Sequence, residues 1–272
     1  MRRIELRTSC AGLALLLYIA LIATVPLVLL GVGLKQPGID LEIALGGRWT
    51  TEAFERLLTG SGIAEAAFRA ALGRSMLYAT VAASVAVFLS FCYAFWVAGW
   101  SSRRAISVSF TLLTLVLLPQ TYLVLPVLGI VSTTAYRLPS EITITVLECL
   151  AVTPLSAFVL HLLAGERIGR LMHITALDGY LATGAWRRIG SEQLPDLAIV
   201  FGLTWAIAWG IYLIPFSLGD HNSYTVLVQI ASLTSNLGRD WAMICAAGFV
   251  VTMPSLAVVA LIGVRWARQV SR

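Results

Sequence analysis

"AGERIGRLMHITALDGYLATGAWRRIGSEQLP", Ala164 to Pro195, is the longest polar interval in the second half of a chain otherwise built of apolar runs. It carries Arg167, Arg170, Arg187 and Arg188 against Glu166, Asp178 and Glu192, a load of charge that cannot cross a bilayer. Ile168, Leu171, Met172, Leu177 and Leu181 nevertheless recur near helical spacing, the pattern of a segment that lies on a surface or docks into a groove. Gly179 and Gly184 interrupt it, each at a cost of about 1 kcal/mol against Ala within a helix, so two short helices joined by a bend are expected.

On either side of this interval the chain is apolar. Of its 272 residues 58% are hydrophobic and only 12% charged. With a mean hydropathy of +0.86 it lies outside the range of soluble domains. Crossing about 30 Å of hydrocarbon takes roughly 20 residues at 1.5 Å rise. Runs of that length are expected at 11–34, 77–98, 106–128, 142–163, 197–218 and 242–264. The reading is therefore an all-α, polytopic membrane protein, a single domain over residues 1–272.

Basic residues orient it. An even number of spans puts both termini on one side, together with the 164–195 loop. That side holds Arg2, Arg3, Arg7, Arg103, Arg104, Arg167, Arg170, Arg187, Arg188, Arg265, Arg268 and Arg272, twelve of the 19 Lys and Arg residues. Excess positive charge marks the cytoplasmic side. The pI near 9.3 follows from this asymmetry. No basic stripe with interleaved stacking aromatics points to nucleic acid. The run after Arg7 is too long for a signal-peptide core and lacks a small-residue cleavage site, so it is expected to remain as a span. Cys10, Cys92, Cys149 and Cys245 fall in or beside apolar segments with no CxxC spacing and read as small hydrophobes.

Several side chains within the spans carry a second reading. Pro119 and Pro126 bracket Gln120, Thr121 and Tyr122 in the third span; a broken helix of this kind lines a cavity or is a kink that improves packing. Glu148 in the fourth span is a functional-site candidate because an acid in hydrocarbon costs about 2.5–3.5 kcal/mol. A structural hydrogen bond to a neighbouring helix also accounts for it. Phe201, Trp205, Trp209, Tyr212 and Phe216 recur at steps of four, four, three and four, so a continuous helix would show them on one face. Such a stripe suits packing, and it also suits a path for sugars, whose C–H faces stack on aromatic rings. The translocation-path candidates are Gln120, Tyr122, Glu148, Trp205, Trp209 and Tyr212. Between the first two spans, alternating charge with Phe54, Leu57 and Leu58 at helical spacing predicts amphipathic helices on the outer face. The Ala- and Ser-rich second span predicts close approach of a neighbouring helix. The stretch from Gly219 to Trp241 reads as a polar outer loop.

"TALDG" at Thr175 to Gly179, followed by Trp186, Ile189 and "LP" at Leu194 and Pro195, resembles the cytoplasmic Glu-Ala-Ala loop of permease subunits in binding-protein-dependent ATP-binding-cassette importers. "NSYT" at Asn222 to Thr225 and the ending "MPSLAVVALIGVRW" resemble that family's last external loop and last helix, most like the smaller permease of maltose-type carbohydrate importers. Two registers of the loop are open. With Asp178 and Gly179 on the motif, His173, Ile174 and Thr175 stand where Glu, Ala and Ala are usual; alternatively "DGYLATGA", Asp178 to Ala185, is the motif itself.

The resemblance implies a type I importer permease fold with six transmembrane helices. It implies a multi-pass subunit of a bacterial inner membrane that moves a sugar or sugar derivative. ATPase-coupling residues would be His173, Ala176, Leu177, Asp178, Gly179, Gly184, Trp186 and Arg187. Partners would be a second, homologous permease in a heterodimer, two ATPase subunits, an extracytoplasmic solute-binding protein, the small-molecule solute and membrane lipid. ATP and magnesium would be held by the ATPases, with no cofactor on this chain. A chain lacking GxxxxGK[ST] has no phosphate cradle of that kind, and HExxH and GxSxG elbows are absent too, which sets enzymatic readings aside. The rivals are an importer permease for a polyamine, phosphonate or thiamine, and an ion-coupled secondary transporter. The latter should show paired broken helices and several intramembrane charges.

Overall fold

A polypeptide this apolar, with its backbone polar groups satisfied within the chain, has helix as its natural form. The structure is a computed structural model and describes residues 23–36, 48–98, 104, 107–108, 110–112, 114, 120–133, 139–177, 182–236 and 240–270. Among them there is no β-strand, only an isolated bridge between Lys35 and Trp49. We number the helices α1 (Ala23–Gly33), α2 (Glu52–Thr59), α3 (Ile63–Val97), α4 (Thr121–Thr133), α5 (Ser140–Leu177), α6 (Ala182–Trp209), α7 (Leu213–Leu218), α8 (Val226–Asn236) and α9 (Trp241–Val270). Three stretches are long and apolar enough to cross a membrane: Ile63–Val97, Ser140–Thr175 and Trp241–Val264. They contain the expected fourth and sixth spans and all but the last residue of the second.

The chain packs as two compact units, Met1–Ala70 with Gln229–Pro254, and Ala71–Val228 with Ser255–Arg272. In the first unit α2 is the amphipathic helix expected between the first two spans. Ala53 and Leu57, one turn apart, are buried, Phe54 meets the edge of Phe249 at 6.0 Å, and Leu58 stays exposed. Glu52 and Glu55 lie in its first turn, where carboxylates favour the helix dipole. Arg56 Nε donates to Glu65 Oε1 at 3.1 Å and Arg69 to the Leu57 carbonyl at 3.2 Å, which folds α2 back onto the start of α3. Gly33 in α1 lets two backbones approach: a Cβ there would sit 2.9 Å from the Ala246 nitrogen.

The second unit is organised around α3, α5 and α6. The Ala-rich face of α3 is buried at Ala79, Ala82, Ala83, Ala86 and Ala94, as small residues at helical spacing allow. Leu160, Ala164 and Ile168 of α5 close on Ile189 and Val200 of α6 and on Phe91 and Phe95 of α3 in one apolar cluster. The short α7 packs on α4 and α5.

Three expectations are corrected here. The interval 164–195 does not form two short helices: α5 runs unbroken to Leu177 and α6 begins at Ala182, so it is the joined ends of two long helices. Gly184 is accommodated inside α6, because burying Ile189 and packing Trp186 outweigh about 1 kcal/mol of propensity. The predicted fifth span is not continuous over 197–218. Gly210 and Ile211 close the end of α6 through tight bonds to the Ile207 and Ala208 carbonyls, at 3.0 and 3.1 Å, and α7 starts afresh. Pro215 enforces this, since in an unbroken helix its ring would strike the Ile211 carbonyl and leave it without a donor. The 219–241 stretch contains α8, whose Val226, Val228 and Leu233 are buried. Residues 11–22 of the first expected span, and much of 106–119 of the third, lie outside the described residues.

Candidate functional site

The joined ends of α5 and α6 are held from two directions. Between the helices, Arg167 donates to Asp196 Oδ2 at 2.8 Å. The carboxylate side chain is 8% exposed and the guanidinium side chain 55%, so the pair has one foot in the core and one in solvent. Against α3, the Trp186 ring lies flat on Phe95, with centroids 4.1 Å apart and planes 5° from parallel. Trp186 also meets the edge of Phe91 at 5.4 Å. Stacked and edge-to-face pairs each add about 0.5–1.5 kcal/mol beyond the area they bury. Thr175 Oγ1 donates back to the Leu171 and Met172 carbonyls at 2.9 and 3.0 Å.

This anchoring leaves a surface of mixed character. Ile174, Leu177, Trp186 and Leu194 are exposed large apolar side chains, interspersed with exposed Arg170, His173 and Arg187. Exposed apolar side chains interspersed with arginines suit protein docking better than catalysis. Of the expected coupling residues, the structure places His173, Leu177, Gly184, Trp186 and Arg187 on this terminus of the hairpin, with Ala176 in the last turn of α5. Asp178 and Gly179 lie outside the described residues.

The opposite end of the second unit is built from the segment Gly219 to Val226. Asp220 closes a turn in which its Oδ1 accepts from the Asn222 amide at 3.0 Å and from Ser223 Oγ at 2.9 Å. Its Oδ2 accepts from Ser140 Oγ at 3.2 Å, at the first residue of α5. The Ser223 hydroxyl, aided by the Asn222 amide and Ser140, holds the Asp220 carboxyl below the usual carboxylate range. Arg74 Nε donates to the Tyr224 carbonyl at 3.2 Å, and Ser75 Oγ accepts from the Val226 amide at 2.8 Å. From Ser140 to Arg167 along α5 is about 40 Å at 1.5 Å per residue. The two sets of contacts therefore lie farther apart than a bilayer's hydrocarbon is thick.

The path candidates are not brought together as one wall. Trp205 and Trp209 stack at 5.2 Å and are buried in α6. Tyr212 and Phe216 stack at 5.2 Å beyond the break and are exposed. The sequence spacing of this stripe presupposed an unbroken helix, and the turn at Gly210 divides it. Trp205 Nε1 donates to Thr80 Oγ1 of α3 at 3.1 Å. Phe201 and Trp205 border an open, mainly apolar groove of about 500 Å³, whose floor includes Ala198 and Gly202 and whose far side is Val258, Leu261 and Ile262. Tyr122 is exposed on α4 and Gln120 half-buried just before it. Glu148 is 1% exposed inside the bundle, and its Oε2 has no hydrogen-bond partner among the described residues.

Sequence reasoning passed over Phe91, Phe95, Ser75 and Asp196, and read Arg74 only as one of the alternating charges between the first two spans. Phe91 and Phe95 did carry a signal: two aromatics one turn apart near the end of a span present neighbouring rings on one helix face. Among the described residues no three His, Cys, Asp or Glu side chains converge to hold a metal ion.

The fold and these two ends define a class: an all-helical chain with three helices long and apolar enough to cross a membrane. No protein-family model matches the chain, and no curated protein matches it.

Proposed function

We propose that the chain is the transmembrane permease subunit of an ATP-driven importer, moving a sugar or sugar derivative handed over by an extracytoplasmic binding protein. In this reading the membrane is a bacterial inner membrane. Six spans place both termini and the α5–α6 hairpin in the cytoplasm, and Gly219 to Val226 outside. The permease pairs with a second homologous permease, and two ATPase subunits supply the energy. The observation that carries the reading is the braced end of the α5–α6 hairpin. Ile174, Leu177, Trp186 and Arg187 are exposed there, while Trp186 stacks on Phe95 and Arg167 pairs with Asp196, as a subunit pushed by a neighbour requires. Closure of the ATPases on ATP would press this surface and shift the spans between two openings.

Replacing Asp178 and Gly179 with bulky residues tests it in membrane vesicles that contain the partner subunits. Insertion should persist and ATP-dependent uptake should vanish; normal uptake refutes the coupling role. The same hairpin suits importers of polyamines, phosphonates or thiamine, and a panel of solutes in that assay separates them.

One observation favours a second reading. Glu148 is buried with an oxygen that has no partner among the described residues, and α6 ends in a turn at Gly210, both of which suit an ion-coupled transporter. Uptake that follows an ion gradient in vesicles depleted of ATP would select it.

A further inference from the structure

The hairpin that would receive a push and the segment at the far end of the second unit are joined covalently through α6, yet α6 is a poor rod. It contains Pro195, ends at Trp209 and is followed by a turn. α5 contains Pro154, α4 Pro126 and α9 Pro254. α3 differs: its sequence from Ile63 to Val97 has no proline, and it is one continuous helix. It is also fastened at both ends and between. Phe95 and Phe91 hold Trp186. Thr80 accepts from Trp205. Arg74 and Ser75 hold the backbone of Tyr224 and Val226 on either side of Thr225. Ser75 and Phe95 are separated by about 30 Å at 1.5 Å per residue, one hydrocarbon thickness.

We propose that α3 is the strut that links the hairpin to the Tyr224–Val226 segment, with Phe91 and Phe95 as positioning residues at one end and Arg74 and Ser75 at the other. Sideways displacement of Trp186 moves the Phe95 ring stacked on it. An α-helix without a proline break carries that displacement along its length, because bending it requires stretching backbone hydrogen bonds. At the other end, a rotation or slide of α3 must either drag residues 224–226 or break the bonds to Arg74 and Ser75. The importer reading gives the strut its purpose, which is to open or shut the outer segment when the inner hairpin is pressed. The mechanical link is a property of this chain alone and is tested without ATP, solute or partner.

The test is hydrogen exchange read by mass spectrometry on the full chain in lipid nanodiscs, comparing peptides over 183–190 with peptides over 222–227. Trp186→Ala should raise exchange over 222–227 by about fivefold to tenfold, within the range of ordinary intersite coupling. Trp186→Phe, which keeps a stacking ring, should restore wild-type protection there. Arg167→Gln loosens the same hairpin without touching α3 and should leave 222–227 unchanged. Because coupling is reciprocal, Ser75→Ala should raise exchange over 183–190 by a similar factor, which serves even if Trp186→Ala does not fold. The strut is refuted if Ser75→Ala leaves 183–190 at wild-type rates, or if Arg167→Gln loosens 222–227 as much as Trp186→Ala does. Should the exchange results hold while uptake proves independent of ATP, the strut stands and the importer reading falls.

Discussion

The ion pair that clamps α5 to α6 should respond asymmetrically to removal of its two partners. Asp196 has its carboxylate side chain 8% exposed, whereas the Arg167 side chain is 55% exposed, and their atoms meet at 2.8 Å. Arg167→Gln strands a carboxylate that is largely withdrawn from water, which costs about 1–3 kcal/mol. Asp196→Asn leaves a half-solvated guanidinium that water stabilises well, and the amide oxygen still accepts from it. Its cost is therefore that of a weak surface pair, about 0.2–1 kcal/mol. In a chain of this size a kcal/mol moves the midpoint by roughly 2–4 °C, so Arg167→Gln should lower it by about 2–12 °C and Asp196→Asn by about 4 °C or less. The double variant replaces the ion pair with a neutral one and should be milder than Arg167→Gln alone. Thermal unfolding in detergent, followed by labelling of the half-buried Cys92, Cys149 and Cys245 with a thiol-reactive dye, measures all three. Equal losses in the two single variants, or strict additivity in the double one, would refute the assignment of the burden to the buried carboxylate.

Two glycines at helix contacts should separate in the same assay. Gly33→Ala drives a methyl to 2.9 Å from the Ala246 backbone and should cost about 1–3 kcal/mol by overpacking. Gly202→Ala meets only the side-chain tip of Ile262, at 2.7 Å, and the wall of Val258, at 3.1 Å. Rotation of Ile262 combined with the helix propensity gained, about 1 kcal/mol, should hold its net effect near zero. The Gly219–Val226 turn should loosen in acid. The folded Asp220 carboxyl lies below its ordinary value of 3.8, so its contribution is complete above that value and fades as pH falls through the folded one. Protection of the Ser223 and Tyr224 amides, corrected for intrinsic exchange, should therefore drop only below about pH 4 and be insensitive to acid in Asp220→Asn; loosening centred above pH 5 would contradict this.

Much of the architecture lay in plain view in the amino acids. Apolar runs of about 20 residues can satisfy their backbone in lipid only as helices, so α3, α5 and α9 follow from composition and length. The 164–195 interval announces itself by four arginines and three acids where hydrocarbon is forbidden to them. Local patterning also predicts α2, from Phe54, Leu57 and Leu58 at helical spacing, although the fold buries Ala53 with Leu57 and leaves Leu58 exposed.

Other features depend on partners remote in sequence. Whether Gly184 breaks a helix was decided by Phe95, nearly ninety positions earlier, which supplies Trp186 with a stacking surface. The aromatic stripe from Phe201 to Phe216 has perfect helical spacing, yet Pro215 and the turn at Gly210 split it, since periodicity assumes an unbroken helix. Arg74 and Ser75 look like ordinary residues at the start of a span; they matter because the fold brings the Tyr224 and Val226 backbone to them. What the sequence determined by itself was that three segments are apolar enough, over a sufficient length, to cross a membrane, since transfer free energy is summed residue by residue along the chain. What only the tertiary structure decided was which helices are fastened to one another, because hydrogen bonds and ring stacking act over a few ångströms between residues that the sequence keeps far apart.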